Sequence, residues 1–111
     1  MQAYKFTTTT ATPALIGPLP ATDFLGATAS SAEAATFYLK LWWTHDSGGP
    51  IIGTTAPDAT FPIPSTGLLP FEFNHPLQEG GMLYCAVTKN AADTDDTALT
   101  TGGDVVTLFL N

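Results

Sequence analysis

The 111-residue chain contains no arginine and only three lysines, Lys5, Lys40 and Lys89, against ten carboxylates, giving a net charge of −7. Nucleic-acid binding depends on cations that displace phosphate counterions. Three dispersed lysines build no basic stripe, so a nucleic-acid partner is excluded, and the same charge repels an anionic membrane surface. A single cysteine, Cys85, excludes an intrachain disulfide framework and a multi-cysteine metal site. The apolar runs span only a few residues, far short of the ~20 that a membrane helix needs. Met1–Phe6 shows no apolar segment behind a basic one, so no signal peptide is expected. Charged residues make up 12% and hydrophobic residues 44% of the chain, too apolar a balance for disorder. One soluble domain is expected, made and kept in a reducing compartment or released from one without needing disulfides.

Catalytic constellations are missing as well. Chemistry needs a nucleophile or a metal together with an oriented base. His45 precedes Asp46 in a turn-like cluster, and His75 sits between Asn74 and Pro76; both read as solvated loop histidines. Cys85 alternates with Leu83 and Val87, the pattern of a small buried hydrophobe rather than a reactive thiolate. The acidic run Asp93-Thr94-Asp95-Asp96 has oxygen ligands, but no glycine at the sixth position and no glutamate at the twelfth position of a calcium loop. It reads as a solvated loop. Glu72 and Glu79 give no basis for a carboxylate pair across a cleft. No enzyme, no cofactor and no metal site is expected.

What the chain does have is strand character. Nine prolines and ten glycines interrupt helical patterns, while threonine and aromatic residues favour a pleated, half-buried surface. Tyr4 to Thr10 reads as an extended strand, with Tyr4 and Phe6 on one face. Leu15 to Leu19, bracketed by Pro13, Pro18 and Pro20, reads as an edge strand. Asp23 to Thr28 is a short apolar piece. Thr36 to Thr44 is the strongest strand signal, with Phe37, Leu39, Leu41 and Trp43 on one face and Tyr38, Lys40 and Trp42 on the other. A brief strand is expected at Ile51 to Thr55. Ala59 to Pro64 is expected at a sheet edge, because Pro62 donates no ladder hydrogen bond. Further strands are expected at Leu69 to Phe73, at Met82 to Thr88, and at Asp104 to Leu110, the last central and covered on both faces.

These signals predict an all-β chain: a single-domain antiparallel β-sandwich, immunoglobulin-like or jelly-roll-like, of about seven or eight strands. Residues 1–12 form an extended N-terminal arm and residues 13–111 the sandwich. The arm is expected to pair as a strand before Pro13 breaks the ladder, through its own sheet rather than by exchange with a neighbour. Trp42 and Trp43 are adjacent, so they point to opposite faces. With Tyr4 and Phe6, they are the candidate partner-contact residues, since aromatics are enriched in interface cores.

Lys40-Leu41-Trp42, followed by Gly53-Thr54, Pro57 and Phe61-Pro62-Ile63-Pro64, resembles a recurrent pattern in small virion proteins of tailed bacteriophages. The resemblance continues through Phe71, Phe73 and Leu83-Tyr84-Cys85-Ala86-Val87-Thr88 to Ala91-Ala92-Asp93-Thr94-Asp95, and so covers roughly residues 36 to 100. It departs at the Trp42-Trp43 pair and at the Pro13–Pro20 stretch. The resemblance implies a capsid decoration, or cement, protein made in the host cytoplasm. It would bind the outer surface of the major capsid protein shell in many copies or as a homo-oligomer. A neck, tail or fibre component and a carbohydrate-binding sandwich using Trp42 or Trp43 are the alternatives.

Overall fold

The structure is a computed structural model that describes residues 2–7, 14–18, 23–29, 35–43, 50–64, 68–69, 75–76, 82–97, 99 and 105–110. Among these residues there is no helix. The strands are β1 (Gln2–Thr7), β2 (Ala14–Pro18), β3 (Asp23–Ala29), β4 (Phe37–Trp42), β5 (Ala59–Ile63), β6 (Leu68–Leu69), β7 (His75–Pro76), β8 (Met82–Thr88) and β9 (Val105–Leu110). They form two antiparallel sheets. The first runs β1-β9-β3-β6, with β7 also on β3, and the second runs β2-β8-β4-β5.

The pairings nest. β4 pairs with β5, β3 with β6 and β7, β2 with β8, and β1 with β9. Two cross pairings, β3 with β9 and β4 with β8, complete the sheets. The path is therefore that of one long hairpin, its two arms wound so that successive pairs fall in alternate sheets.

The alternating pattern explains which side chains meet between the sheets. In β4, Phe37, Leu39 and Leu41 turn inward, and in β8 Leu83 and Cys85 do the same. They join Phe24 and Ala27 of β3 and Val106, Leu108 and Leu110 of β9 in one buried cluster. Phe24 and Phe61 bridge the two sheets, with ring centroids 4.9 Å apart and planes tilted by 37°. Such a pair adds about 1 kcal/mol beyond its buried area. Leu99, between β8 and β9, seals the cluster from a loop.

Proline placement follows the ladder chemistry. β2 and β5 lie at the two edges of the second sheet, where Pro18 and Pro62 cost no central hydrogen bond. A register shift between Leu15 and Gly17 further breaks up the β2 edge. β1 pairs along its whole length with β9, from Gln2 opposite Leu110 to Thr7 opposite Val105. The N-terminal strand thus belongs to the chain's own sheet, and Tyr4 packs against the main core.

Two expectations need correction, and a third falls mostly outside the described residues. Ile51–Thr55 is a turn, because Thr54 and Thr55 both donate backbone N–H bonds to Ile51 O and Gly53 takes φ +86°. β9 is central in its sheet, yet its two faces are unequally covered: Val106, Leu108 and Leu110 are buried, whereas Thr107 and Phe109 are half-buried and Val105 is 37% exposed. Of the expected Leu69 to Phe73 strand, Leu69 ends the two-residue β6 and residues 70–74 lie outside the described residues.

Candidate functional site

The outer face of the second sheet carries Tyr38, Lys40 and Trp42 from β4, with Tyr84, Ala86 and Thr88 opposite them on β8. Two loops close over it. Residues 50–58 place Ile52 on Trp42 and Ala86, with Tyr84 alongside, in a second and smaller apolar cluster. Trp42 is fully buried, and its indole N–H donates to Thr55 O at 3.1 Å. The loop is fastened at both ends of its turn. Ile51 N donates to Thr55 Oγ1, Asp58 N donates to Leu41 O, and Trp43 N donates to Asp58 Oδ2 at 2.7 Å.

Residues 89–97 cover the neighbouring part of the same face. Beneath them lies Lys40, 1% exposed in the middle of an apolar strand. Its ammonium donates to Ala92 O at 2.6 Å and Asp95 O at 3.1 Å. A buried charge is tolerated only when it is paired and hydrogen-bonded. Here the loop supplies two backbone oxygens and the field of Asp95, Asp93 and Asp96. Burial outweighs that field, so the Lys40 ammonium loses its proton more readily than an ordinary lysine.

Asp95 shapes the loop that caps Lys40. Its Oδ1 accepts from Thr97 Oγ1 at 2.7 Å and Asn90 Nδ2 at 3.1 Å, and its Oδ2 accepts from Asn90 N at 3.0 Å. Partial burial pushes its carboxyl upward. The Thr97 and Asn90 hydrogen bonds and the Lys40 charge outweigh that effect and hold it below the usual carboxylate range. The acidic run is thus a structured cap whose oxygens already serve an ammonium and the loop's own donors. Its two covering loops touch at Gly53, where an added Cβ would lie 3.1 Å from Asp96 Cβ and 3.2 Å from Thr94 O.

The partner-contact candidates separate accordingly. Trp42 is corrected: it is enclosed, and a partner would have to displace the Ile51–Thr55 turn to reach it. Trp43 is half-buried and packs against the main core from the end of β4. Tyr4 is half-buried against that core, and Phe6 holds its register position opposite Val106. The four are not brought together into one patch. Cys85 is fully buried, and burial pushes its thiol far up, away from thiolate chemistry. His45, Glu72 and Glu79 lie outside the described residues, and His75 is described only as part of β7. Among the described residues, no group of three or more His, Cys, Asp or Glu side chains could hold a metal, and no helix is long and apolar enough to cross a membrane.

The outer face of the first sheet differs in kind. Register aligns Ala3, Phe109 and Gly26 in one row, Lys5, Thr107 and Thr28 in the next, and Thr7 with Val105 beyond. These rows carry one cation, Lys5, and no carboxylate; the half-buried Asp23, next to the inward-turned Phe24 at the start of β3, falls at the end of the same face. Sequence reading missed Lys40, Asp95 and Gly53 as a linked group. The available signal was a lysine flanked by Leu39, Leu41 and Trp42, where a charge demands a partner from elsewhere in the chain.

No protein-family model, curated protein or solved structure matches the chain.

Proposed function

We propose that this chain is a structural component of a tailed-phage virion, a decoration protein that binds the outer surface of the major capsid protein shell in many copies. The sequence resemblance over residues 36 to 100 suggests the class, and the outer face of the first sheet supplies the observation that carries it. Interface cores are depleted in charge. On a molecule of net charge −7, the Ala3–Phe109–Gly26 and Lys5–Thr107–Thr28 rows form an area with no carboxylate, with Val105 exposed beside them. Among the described residues, the exposed carboxylates Asp58, Asp93 and Asp96 lie instead in the loops over the second sheet. Docking through the first sheet would bury the weakly charged face and turn the acidic loops to solvent.

The strand order supports a jelly-roll sandwich over an immunoglobulin-like one. If β6 and β7, which pair with successive parts of β3, are read as one interrupted strand, the described residues hold eight strands. Their nested pairs split into two four-stranded sheets, the arrangement of a doubly wound hairpin found in capsid and lectin domains. Fold alone does not decide between such functions. The burial of Trp42 removes one of the two platforms that a sugar-binding reading would use.

The test is binding to shells assembled without this protein. Wild-type chain should co-sediment with them at a stoichiometry set by the shell's symmetry and raise their heat tolerance. Val105→Glu, a substitution at an exposed position, should fold normally and lose binding. No binding by the wild type would overturn the reading, and full binding by the variant would overturn the assigned face.

A further inference from the structure

The segment 89–97 is attached to the body of the protein in an uncommon way. Lys89 to Asp93, Thr94, Asp96 and Thr97 are exposed, Asp95 is half-buried, and none of them enters either apolar cluster. Hydrophobic burial therefore does not hold the segment down. Its own bonds, from Asn90 and Thr97 to the Asp95 carboxylate, from Asp95 N to Ala92 O and from Lys89 N to Thr97 O, give it shape. They run within the segment and do not fasten it to the sheet. Its two ends are fixed: Thr88, 1% exposed, donates to Asn90 O on one side, and Leu99 sits in the main core on the other. Among the described residues, the hydrogen bonds across the sheet face itself are those of one side chain, Lys40 to Ala92 O and Asp95 O, supplemented by the contact at Gly53.

We infer that residues 89–97 form a preshaped lid, pinned shut by the Lys40 ammonium, that opens as a body while both sheets remain intact. The balance that permits this is local. Opening gives up two hydrogen bonds to the ammonium but returns that ammonium to water, which compensates most of the loss. No apolar surface of the lid has to be exposed for the movement. Regions held by few apolar contacts open sub-globally at a lower free energy than the core. An open lid would place a free amine beside Trp42 and Ala86, on a face that is otherwise closed.

Four built-in reporters make the movement measurable in the unmodified protein. Lys5 and Lys89 are exposed, Lys40 is buried under the lid, and Cys85 is buried in the main core. Amine acetylation read by mass spectrometry, beside thiol alkylation under the same native conditions, compares lid opening with core opening. After correction for intrinsic reactivity, Lys40 should label at least tenfold faster than Cys85 and well behind Lys5 and Lys89. Its rate should be nearly independent of low urea, whereas the Cys85 rate should rise with urea. Asp95→Ala, which unshapes the lid, should speed Lys40 labelling and leave Cys85 labelling unchanged. Lys40 and Cys85 labelling at one common rate with one urea dependence would overturn the inference, because the lid would then open only with the core. Lys40 labelling as fast as Lys5 would overturn the pin. Both outcomes are read on wild-type protein, so the test stands even if the variant does not fold.

Discussion

Gly53→Ala is the sharpest test of how the two loops over the second sheet depend on each other. Gly53 has φ +86°, a region in which a Cβ costs about 1–2 kcal/mol. The new methyl would also meet Asp96 Cβ at 3.1 Å and Thr94 O at 3.2 Å. Those atoms belong to the loop backbone or its first side-chain carbon, so relief requires residues 94–96 to shift rather than a side-chain tip to rotate. Overpacking of this kind costs about 1 kcal/mol or more. Against these terms, alanine lowers the entropy of the unfolded chain and recovers about 0.4–1 kcal/mol. The net expectation is a destabilisation of about 1–3 kcal/mol. For a domain of this size that lowers Tm by about 5–15 °C. Thermal unfolding followed by circular dichroism measures it, with Thr54→Ala at the adjacent exposed position as a control expected to stay within about 0.5 kcal/mol. A Gly53→Ala protein as stable as wild type would refute both the strained turn and the contact between the loops.

Other substitutions probe the remaining elements. Trp42→Ala should cost about 3–5 kcal/mol through loss of a fully buried side chain, and Trp42→Phe should cost less; urea titration distinguishes them, and a near-neutral Trp42→Ala would contradict the enclosure of that ring. Asp95 ionises more readily in the folded state, so its stabilising contribution is present above the unfolded carboxylate range and disappears as pH falls through its lowered folded value. Asp95→Asn should therefore flatten part of the acid limb of stability against pH, and an unchanged limb would sink that assignment. Lys40 shifts the other way: the unfolded chain holds its proton more tightly, so its burial cost is relieved as pH rises from the lowered folded value towards the ordinary lysine range. Wild type should gain stability relative to Lys40→Met across that window, and a relative loss would show that the loop's field, not burial, dominates.

The strand pattern of β4 and β8 was legible because alternation needs only the two-residue period of a pleated chain. Phe37, Leu39 and Leu41 separated from Tyr38, Lys40 and Trp42, and Leu83 and Cys85 from Tyr84 and Ala86, as the structure has them. Pro62 and Pro18 marked edge strands for the same local reason, a missing ladder donor. Alternation says which face a residue takes, but not whether something later in the chain covers that face. Alternation therefore put Trp42 and Trp43 on opposite faces and left both as partner-contact candidates, whereas a loop eight residues away encloses Trp42. Ile51-Ile52-Gly53-Thr54-Thr55 read as a strand because four β-branched residues outweighed one glycine, and the glycine's positive φ decided the turn. The nested strand order depends on pairings between distant segments, to which composition and periodicity are blind.

Lys40 and the acidic loop were opaque for a related reason: each is unfavourable or unremarkable when considered alone. A lysine within a buried strand is a desolvation cost, and an aspartate-rich loop is ordinary surface. Joined across 52 and 55 residues of chain, they become one polar closure, with carbonyl oxygens taking the ammonium that burial would otherwise strand. The closure also makes the two sheets unequal. The second sheet covers its outer face with the chain's own loops and directs Asp93 and Asp96 outward, whereas the central rows of the first present threonines, Ala3, Lys5 and Val105, with Asp23 only at the end of β3. Repulsion between acidic surfaces rises as they approach, so a partner that is itself acidic can reach this molecule at least cost through the first sheet. On the proposed reading, orientation on a shell would then be set by where the carboxylates are not. Reversing Lys5 to glutamate would weaken docking to an acidic surface more at low salt than at high salt, while neutral contacts around Val105 would show little salt dependence.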